Sequence, residues 1–293
     1  VAGYPNIAFA LQYDESPLDF ASRLMEREGI YYYFSPAGDL VLGDAPTGYG
    51  SGPSGTYSGH LDGPSAGSDR VTSLALASRH VSQTATVHGF SLADPAFSLV
   101  QGTATNPGSD AVGELYSYSI AQTSSTSANL RATRVAQRAA LEAQRYDGTS
   151  NLAGLRAGHA LFVSDTTPNG LGGMLVAVRV EHVVLRDETR GCLGYANAFE
   201  AIPATLTYRP PRSTPRPSPP GLQTAIVTGP LGNTVYTDTL GRVKVRFLWD
   251  RSGVDDENSS AWVRVAQPIG GLGTASVPEV GDEVLVSFEQ GDD

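Results

Sequence analysis

Between residues 236 and 288 the chain alternates apolar and polar side chains in three short runs, a period of two that suits strands and not helices. From Gly241 to Asp250, Val243, Val245, Phe247 and Trp249 fall on one face, with Arg242, Lys244 and Arg246 on the other. From Ala261 to Ala266, Val263 and Val265 oppose Arg264, and from Glu283 to Glu289, Val284, Val286 and Phe288 line up together. β-Branched and aromatic residues at that period predict half-buried strands. A polar stretch at 250–260 and a glycine-rich one at 268–278 supply the turns. The expectation is a small antiparallel barrel with one wet face.

A length of 293 residues gives room for two or three domains with ample core. Only 17% of the residues are charged, and 33 glycines and 19 prolines favour a mainly β chain rich in turns. The net charge of −10 argues against a nucleic-acid or anionic-membrane partner. Cys192 is the only cysteine, so no intrachain disulfide can form and a reducing cytoplasm is compatible. No apolar span reaches membrane length and no signal-peptide pattern is visible. Because the chain opens on Val1 rather than methionine, a preceding segment is expected.

Taken in order, the first element is a helix with Ser16 as N-cap, Pro17 at its first position and Asp19 completing a capping box. Leu18, Ala21, Leu24 and Met25 form its apolar stripe, and Gly29 stops it. Strands follow at 30–34 and 40–42, then a Gly/Ser/Pro-rich loop at 47–69. Residues 71–92 read as two strands and 94–113 as another loop. A second helix spans 130–145, ended by Asp147-Gly148; its arginines at 131, 134, 138 and 145 read as a solvated face, with an acidic partner surface as the second reading. Strands at 159–164, 174–185 and 195–202 come next, the middle one long enough to bend across a barrel. Six of the twelve residues from Arg209 to Pro220 are proline, an extended spacer of at most roughly 35 Å. The domain expectation is therefore 1–208, a linker at 209–222, and 223–293.

Three stretches in the last third, GRVKVRFLWD, SSAWVRVAQ and PEVGDEVLVSFEQGD, resemble the small OB-type spike barrel of the VgrG family, tail-spike components of bacterial type VI secretion that are similar to contractile-phage hub and spike proteins. QYDESPLDFASRLMEREGIYYYF, GLRAGHALFV and YANAFEAIP resemble the hub portion of the same family. The resemblance implies hub β-barrel domains with two helices, incomplete at the N-terminus, followed by an OB-fold barrel. It further implies a homotrimer that caps the Hcp tube ring, assembled in the bacterial cytoplasm and then injected. A C-terminal β-helix, a tip protein and effectors would lie beyond the present chain, with membrane contact only by puncture. No cofactor and no catalytic residue is implied.

The other motifs fare worse. Residues Gly63 to Gly67 match G-x-S-x-G, but that elbow needs a strand before Ser65 and a helix after it, and both flanks are loop. His60, His80, His88, His159 and His182 show no metal-ligand spacing. Asp255, Asp256 and Glu257 are adjacent acids in a polar loop rather than a pair held apart for acid/base work. The glycines at 271 and 273 precede no helix, so they make no phosphate loop. From 223 to 293, five basic residues stand against eleven acidic ones, which opposes an OB-fold nucleic-acid module. Trp249, Trp262, Val263 and Arg264 are accordingly read as packing or subunit-contact residues. A phage tail hub remains the alternative, with a binding module or a cell-wall hydrolase behind it.

Overall fold

The computed structural model describes residues 4, 7, 9–58, 69–90, 99–106, 112–118, 124–167, 170–187, 191–267 and 276–288. In chain order its elements are α1 (Pro17–Glu28), β1 (Tyr31–Phe34), β2 (Leu40–Gly43), β3 (Ser54–Tyr57), β4 (Val71–Ser78), β5 (Thr84–Phe90), β6 (Leu99–Thr105), β7 (Glu114–Tyr118), α2 (Ser125–Leu141), β8 (Gln144–Ser150), β9 (Ala160–Asp165), β10 (Gly173–Asp187), β11 (Gly191–Pro203), β12 (Gln223–Thr228), β13 (Lys244–Phe247) and β14 (Glu283–Val286). By internal contacts the chain forms two compact units, residues 1–4 with 21–214 and residues 5–20 with 215–293. The mainly β class with two helices holds.

The first unit is built on a six-stranded sheet in the order β3-β9-β10-β11-β8-β4. Only the β3–β9 pair is parallel. The sheet curls until its edges meet, because an isolated parallel bridge joins Thr56 of β3 to Arg70, just before β4. Bringing the two edge strands together at this one bridge shields part of the edges that invite aggregation. Inside the curl, Leu152 and Leu155 from the β8–β9 connection are fully buried among Val71, Leu161, Leu175 and Phe199. A buried polar group holds that plug. The Asn197 side chain donates to the Leu152 carbonyl at 2.9 Å and to the Tyr195 hydroxyl at 3.0 Å, and accepts from the Ser150 hydroxyl at 2.6 Å. Each polar atom so placed has a partner, as burial demands.

A second sheet, β6-β5-β7, carries α2. The helix is capped by Ser124, whose hydroxyl accepts from the Ser127 N–H. Its alanines at 128, 132, 136 and 140 recur every fourth residue and are all buried, so a small-residue stripe lets the helix lie close to β6. The limit of that approach is Gly102, where an added Cβ would stand 2.1 Å from the carbonyl carbon of Ala128.

The second unit contains the antiparallel sheet β13-β12-β14. Ala225, Val227, Val243, Val245, Phe247 and Val286 form its core, with Val263, Val265 and Val284 half-buried against them. The alternation at 243–247 lands as expected, with Val243, Val245 and Phe247 inward.

Several expectations are corrected. The central strand of the small sheet is β12, which the period-two pattern did not single out, and Ala261–Ala266 is no strand but a single bridge from Val263 to Val243. The second helix runs 125–141 rather than 130–145, and Asp147 and Gly148 lie inside β8, paired with Glu200 and Phe199 of β11. Gly148 is there for space, since an added Cβ would sit 2.5 Å from the Phe199 ring. The 47–69 and 94–113 loops contain β3 and β6, which pair with β9 and β5. In α1 the Ser16 cap is present, its hydroxyl accepting from the Asp19 N–H at 3.1 Å. The predicted stripe is not buried: Leu18 and Ala21 are exposed, and Leu24 and Met25 are half-covered. Substituting Gly102→Ala should lower the melting temperature by several degrees by circular dichroism, since overpacking against backbone costs roughly 1–3 kcal/mol.

Candidate functional site

Two constellations stand out, one in each unit. In the first unit, arginines gather around the C-terminus of α1, where the last carbonyls of a helix lack intrahelical partners and carry partial negative charge. Arg131 donates to the Arg27 carbonyl at 3.3 Å and Arg138 to the Glu26 carbonyl at 2.9 Å. Arg209 donates to the Gly29 carbonyl at 2.7 Å. Three guanidinium groups from outside the helix thus cap it. Gly29 has a positive φ of 72°, and a Cβ there would also lie 2.8 Å from the Arg209 side chain.

The same residues fasten the start of the proline-rich segment. Arg138 also donates to the Pro210 carbonyl at 2.8 Å, and the Glu26 carboxylate accepts from the Thr214 hydroxyl at 2.7 Å and its N–H at 3.1 Å. Arg134 pairs with Glu28 and lies over the Tyr4 ring, 4.9 Å from its centroid. The solvated-face reading of these arginines is therefore overturned for Arg131, Arg134 and Arg138, whose planar forks suit semi-buried carbonyl and carboxylate acceptors. Arg145, at the start of β8, pairs with Glu200 of β11. The spacer reading misses the strapping of residues 209–214, which no proline pattern announces.

In the second unit, Trp249 stacks on Phe247 at 4.9 Å and 11° and meets the Tyr13 ring edge-on at 4.9 Å. Its indole N–H is buried and has no hydrogen-bond partner among the described residues. Trp262 lies against Tyr236 at 5.2 Å, with the Lys244 ammonium 4.9 Å above its ring. Val263 exchanges backbone hydrogen bonds with Val243 at 2.8 and 2.9 Å. Arg264 is exposed. Trp249, Val263 and Phe247 thus share one core, whereas Trp262 belongs to a separate cation–aromatic stack. An open groove of about 1230 Å³ runs between residues 9–16 and the Trp249–Ser259 stretch of the same unit.

A tight turn leads into β13. The Asp238 carboxylate accepts from the Arg242 guanidinium at 2.5 and 2.6 Å and from the N–H groups of Leu240 and Arg242 at 3.0 and 2.9 Å. Burial opposes its ionisation, but these hydrogen bonds outweigh burial and hold the carboxyl below its ordinary range.

The described histidines sit apart, three of them against tyrosines: His159 packs on Tyr33, His88 on Tyr116 and His182 on Tyr195. Among the described residues no three potential metal ligands gather. Ser65 and His60 lie outside the described residues. Asp255 pairs with Arg246 at 3.0 Å.

Residues 1–187 match the family model of the phage tail baseplate hub (GPD), and residues 226–293 that of the type VI secretion system/phage-baseplate injector OB domain. The chain belongs to the phage tail baseplate hub family, in its VgrG form. It is similar to the type VI secretion system spike protein VgrG5 of Pseudomonas aeruginosa, 32% identical over 99% of this chain and 39% of that protein. VgrG1b of the same organism is 35% identical over 99% of this chain and 41% of that protein. The chain thus spans about two fifths of the length of these curated VgrG relatives. A solved Escherichia coli type VI secretion component, described as structurally similar to the T4 bacteriophage tail proteins gp27 and gp5, shares the fold. Its TM-score is 0.57 at 22% identity, over 96% of this chain and 59% of that one.

Two substitutions test the VgrG-type barrel. Trp249→Phe keeps the stack and removes a buried unpaired donor that costs roughly 1–3 kcal/mol; its urea midpoint, read by Trp262 fluorescence, should stay near or above the native value, whereas Trp249→Ala should fall well below it. Asp238→Asn should lose roughly 1–2 kcal/mol at pH 7. The native carboxyl is depressed, so its contribution is present above the unfolded value of about 3.9 and fades as pH falls through the folded value. The gap between variant and native midpoints should therefore close towards pH 3.

Proposed function

We propose that this chain is the hub and OB barrel of a type VI secretion spike, a structural part without catalytic activity. In this reading the whole protein is a homotrimer that caps the Hcp tube and carries a tip protein and effectors beyond the barrel. It is assembled in the cytoplasm and then expelled, meeting a membrane only by piercing it. We divide the working part into a hub at 1–208, a tether at 209–222 and a barrel at 223–293. Exposed Arg264, with Trp262 beside it, is assigned to the contact between barrels.

The single observation that carries this reading is similarity to VgrG spike proteins over 99% of the chain, spanning both compact units. Physics supports it as well. A part pushed through an envelope must resist local opening, and a curled sheet whose edge strands are brought together leaves less unpaired edge to open. Among the described residues no helix is long and apolar enough to cross a membrane.

The whole protein should appear as a trimer in native mass spectrometry and co-sediment with Hcp rings, three chains to each ring. Arg264→Glu should weaken the trimer of the whole protein in native mass spectrometry. A whole protein that stays monomeric and ignores Hcp would overturn the spike reading. Peptidoglycan or nucleotide hydrolysis by residues 1–293 would overturn the non-catalytic one.

A further inference from the structure

The arginine junction of the first unit holds more positive charge than its own carboxylates can neutralise. Glu28 is taken by Arg134 and by Arg27, the latter at 3.2 Å. Glu26 is taken by Ser213 and Thr214 through their hydroxyls and the Thr214 N–H. Arg131 and Arg138 reach only backbone carbonyls, and Arg212 makes no hydrogen bond or ion pair among the described residues. Arg131 and Arg138, seven residues apart, lie on one face of α2, and their hydrogen bonds end on adjacent carbonyls of α1. Arg138 also grips Pro210, two residues before exposed Arg212. Burial first, and then the neighbouring Arg212 charge, pushes Arg131 down to about 10 and lowers Arg138 as well. Three like charges are thus held near one another, Arg131 and Arg138 partly desolvated and Arg212 exposed, in a chain whose net charge is −10.

We propose that the face formed by Arg131, Arg138 and Arg212 docks a carboxylate-rich segment of a partner protein. A guanidinium presents a planar fork that matches a carboxylate in bidentate fashion, and the pairing strengthens where water is partly excluded. The three guanidiniums come from two parts of the chain, α2 and the proline-rich segment, so a segment bearing several carboxylates offers them more partners than one small oxyanion does. Carboxylates on alternate residues of an extended segment repeat at about 6.8 Å and can meet several guanidiniums at once. Nucleic acid fits less well, since a long polyanion must also lie against the acidic remainder of the surface. The proposal is independent of the spike reading, because it concerns binding by residues 1–293 alone.

The test is fluorescence anisotropy of a labelled hexaglutamate peptide with residues 1–293 at low salt. Arg212 is exposed and makes no hydrogen bond among the described residues, so Arg212→Glu should leave the circular dichroism melt unchanged and weaken binding at least tenfold. Arg131→Gln combined with Arg212→Gln should do the same, while Arg156→Glu, an exposed change elsewhere on this unit, should leave binding within twofold. Binding should also fall steeply as salt rises. The proposal is overturned if the native chain does not bind the peptide, or if Arg156→Glu weakens binding as much as Arg212→Glu. Complete displacement of the peptide by an equal concentration of inorganic sulfate, or tighter binding of an oligo-dT of equal charge, would overturn it too.

Discussion

The hydrogen bonds of the Asn197 side chain hold the first unit in its curled form. A sheet that closes on itself must fill its interior, and here the filling is Leu152 and Leu155, on a connection that belongs to no strand. Such a connection exposes backbone groups that burial would leave unpaired. Asn197 accepts from Ser150 and donates to the Leu152 carbonyl, and the Ser150 hydroxyl also accepts from the Leu152 N–H at 3.3 Å. The leucines can therefore be pressed inwards without an unsatisfied polar atom beneath them.

At the arginine junction the same economy of partners works with charge. The last carbonyls of α1, the entry to the proline-rich segment and the Glu28 carboxylate share a set of guanidinium groups. A lysine would do this less well, because its three donors share one nitrogen, whereas Arg138 reaches Pro210 through Nε and Glu26 through a terminal nitrogen of the same planar fork. The junction fixes where the first unit ends and the proline-rich chain begins. Its uncompensated charge is a local feature of an otherwise acidic protein, so it points outwards to a partner and not inwards to the fold.

Much of this was legible in the residues. The alternation at 243–247, the Ser16 and Asp19 cap and the long 174–185 strand announce themselves because one local rule, periodicity or capping, decides each. The family resemblance rests on contiguous motifs and is visible for the same reason. What stayed hidden is decided at long range. β12 is a short apolar run after prolines, and it becomes central only because β13 and β14 both pair with it. β3 is a strand because β9 lies beside it. Asp147-Gly148 carries a turn signature, yet the glycine serves to clear the Phe199 ring. The arginines of α2 have the spacing of a solvated face, and only the folded chain brings carbonyls 104 and 112 residues away to meet them.

A curled, plugged sheet makes the first unit a stiff part that does not open locally. Native-state amide hydrogen exchange measures this most directly. The amides of β10 and β11 from Leu175 to Ala177 and from Phe199 to Ile202, together with the Leu152 N–H, should exchange only through global unfolding. Their exchange free energy should match that from urea denaturation. Exchange of these amides as fast as those of the β1–β2 hairpin would contradict the claim, because it would mean that the plug leaves and the curl opens while the rest of the fold stands.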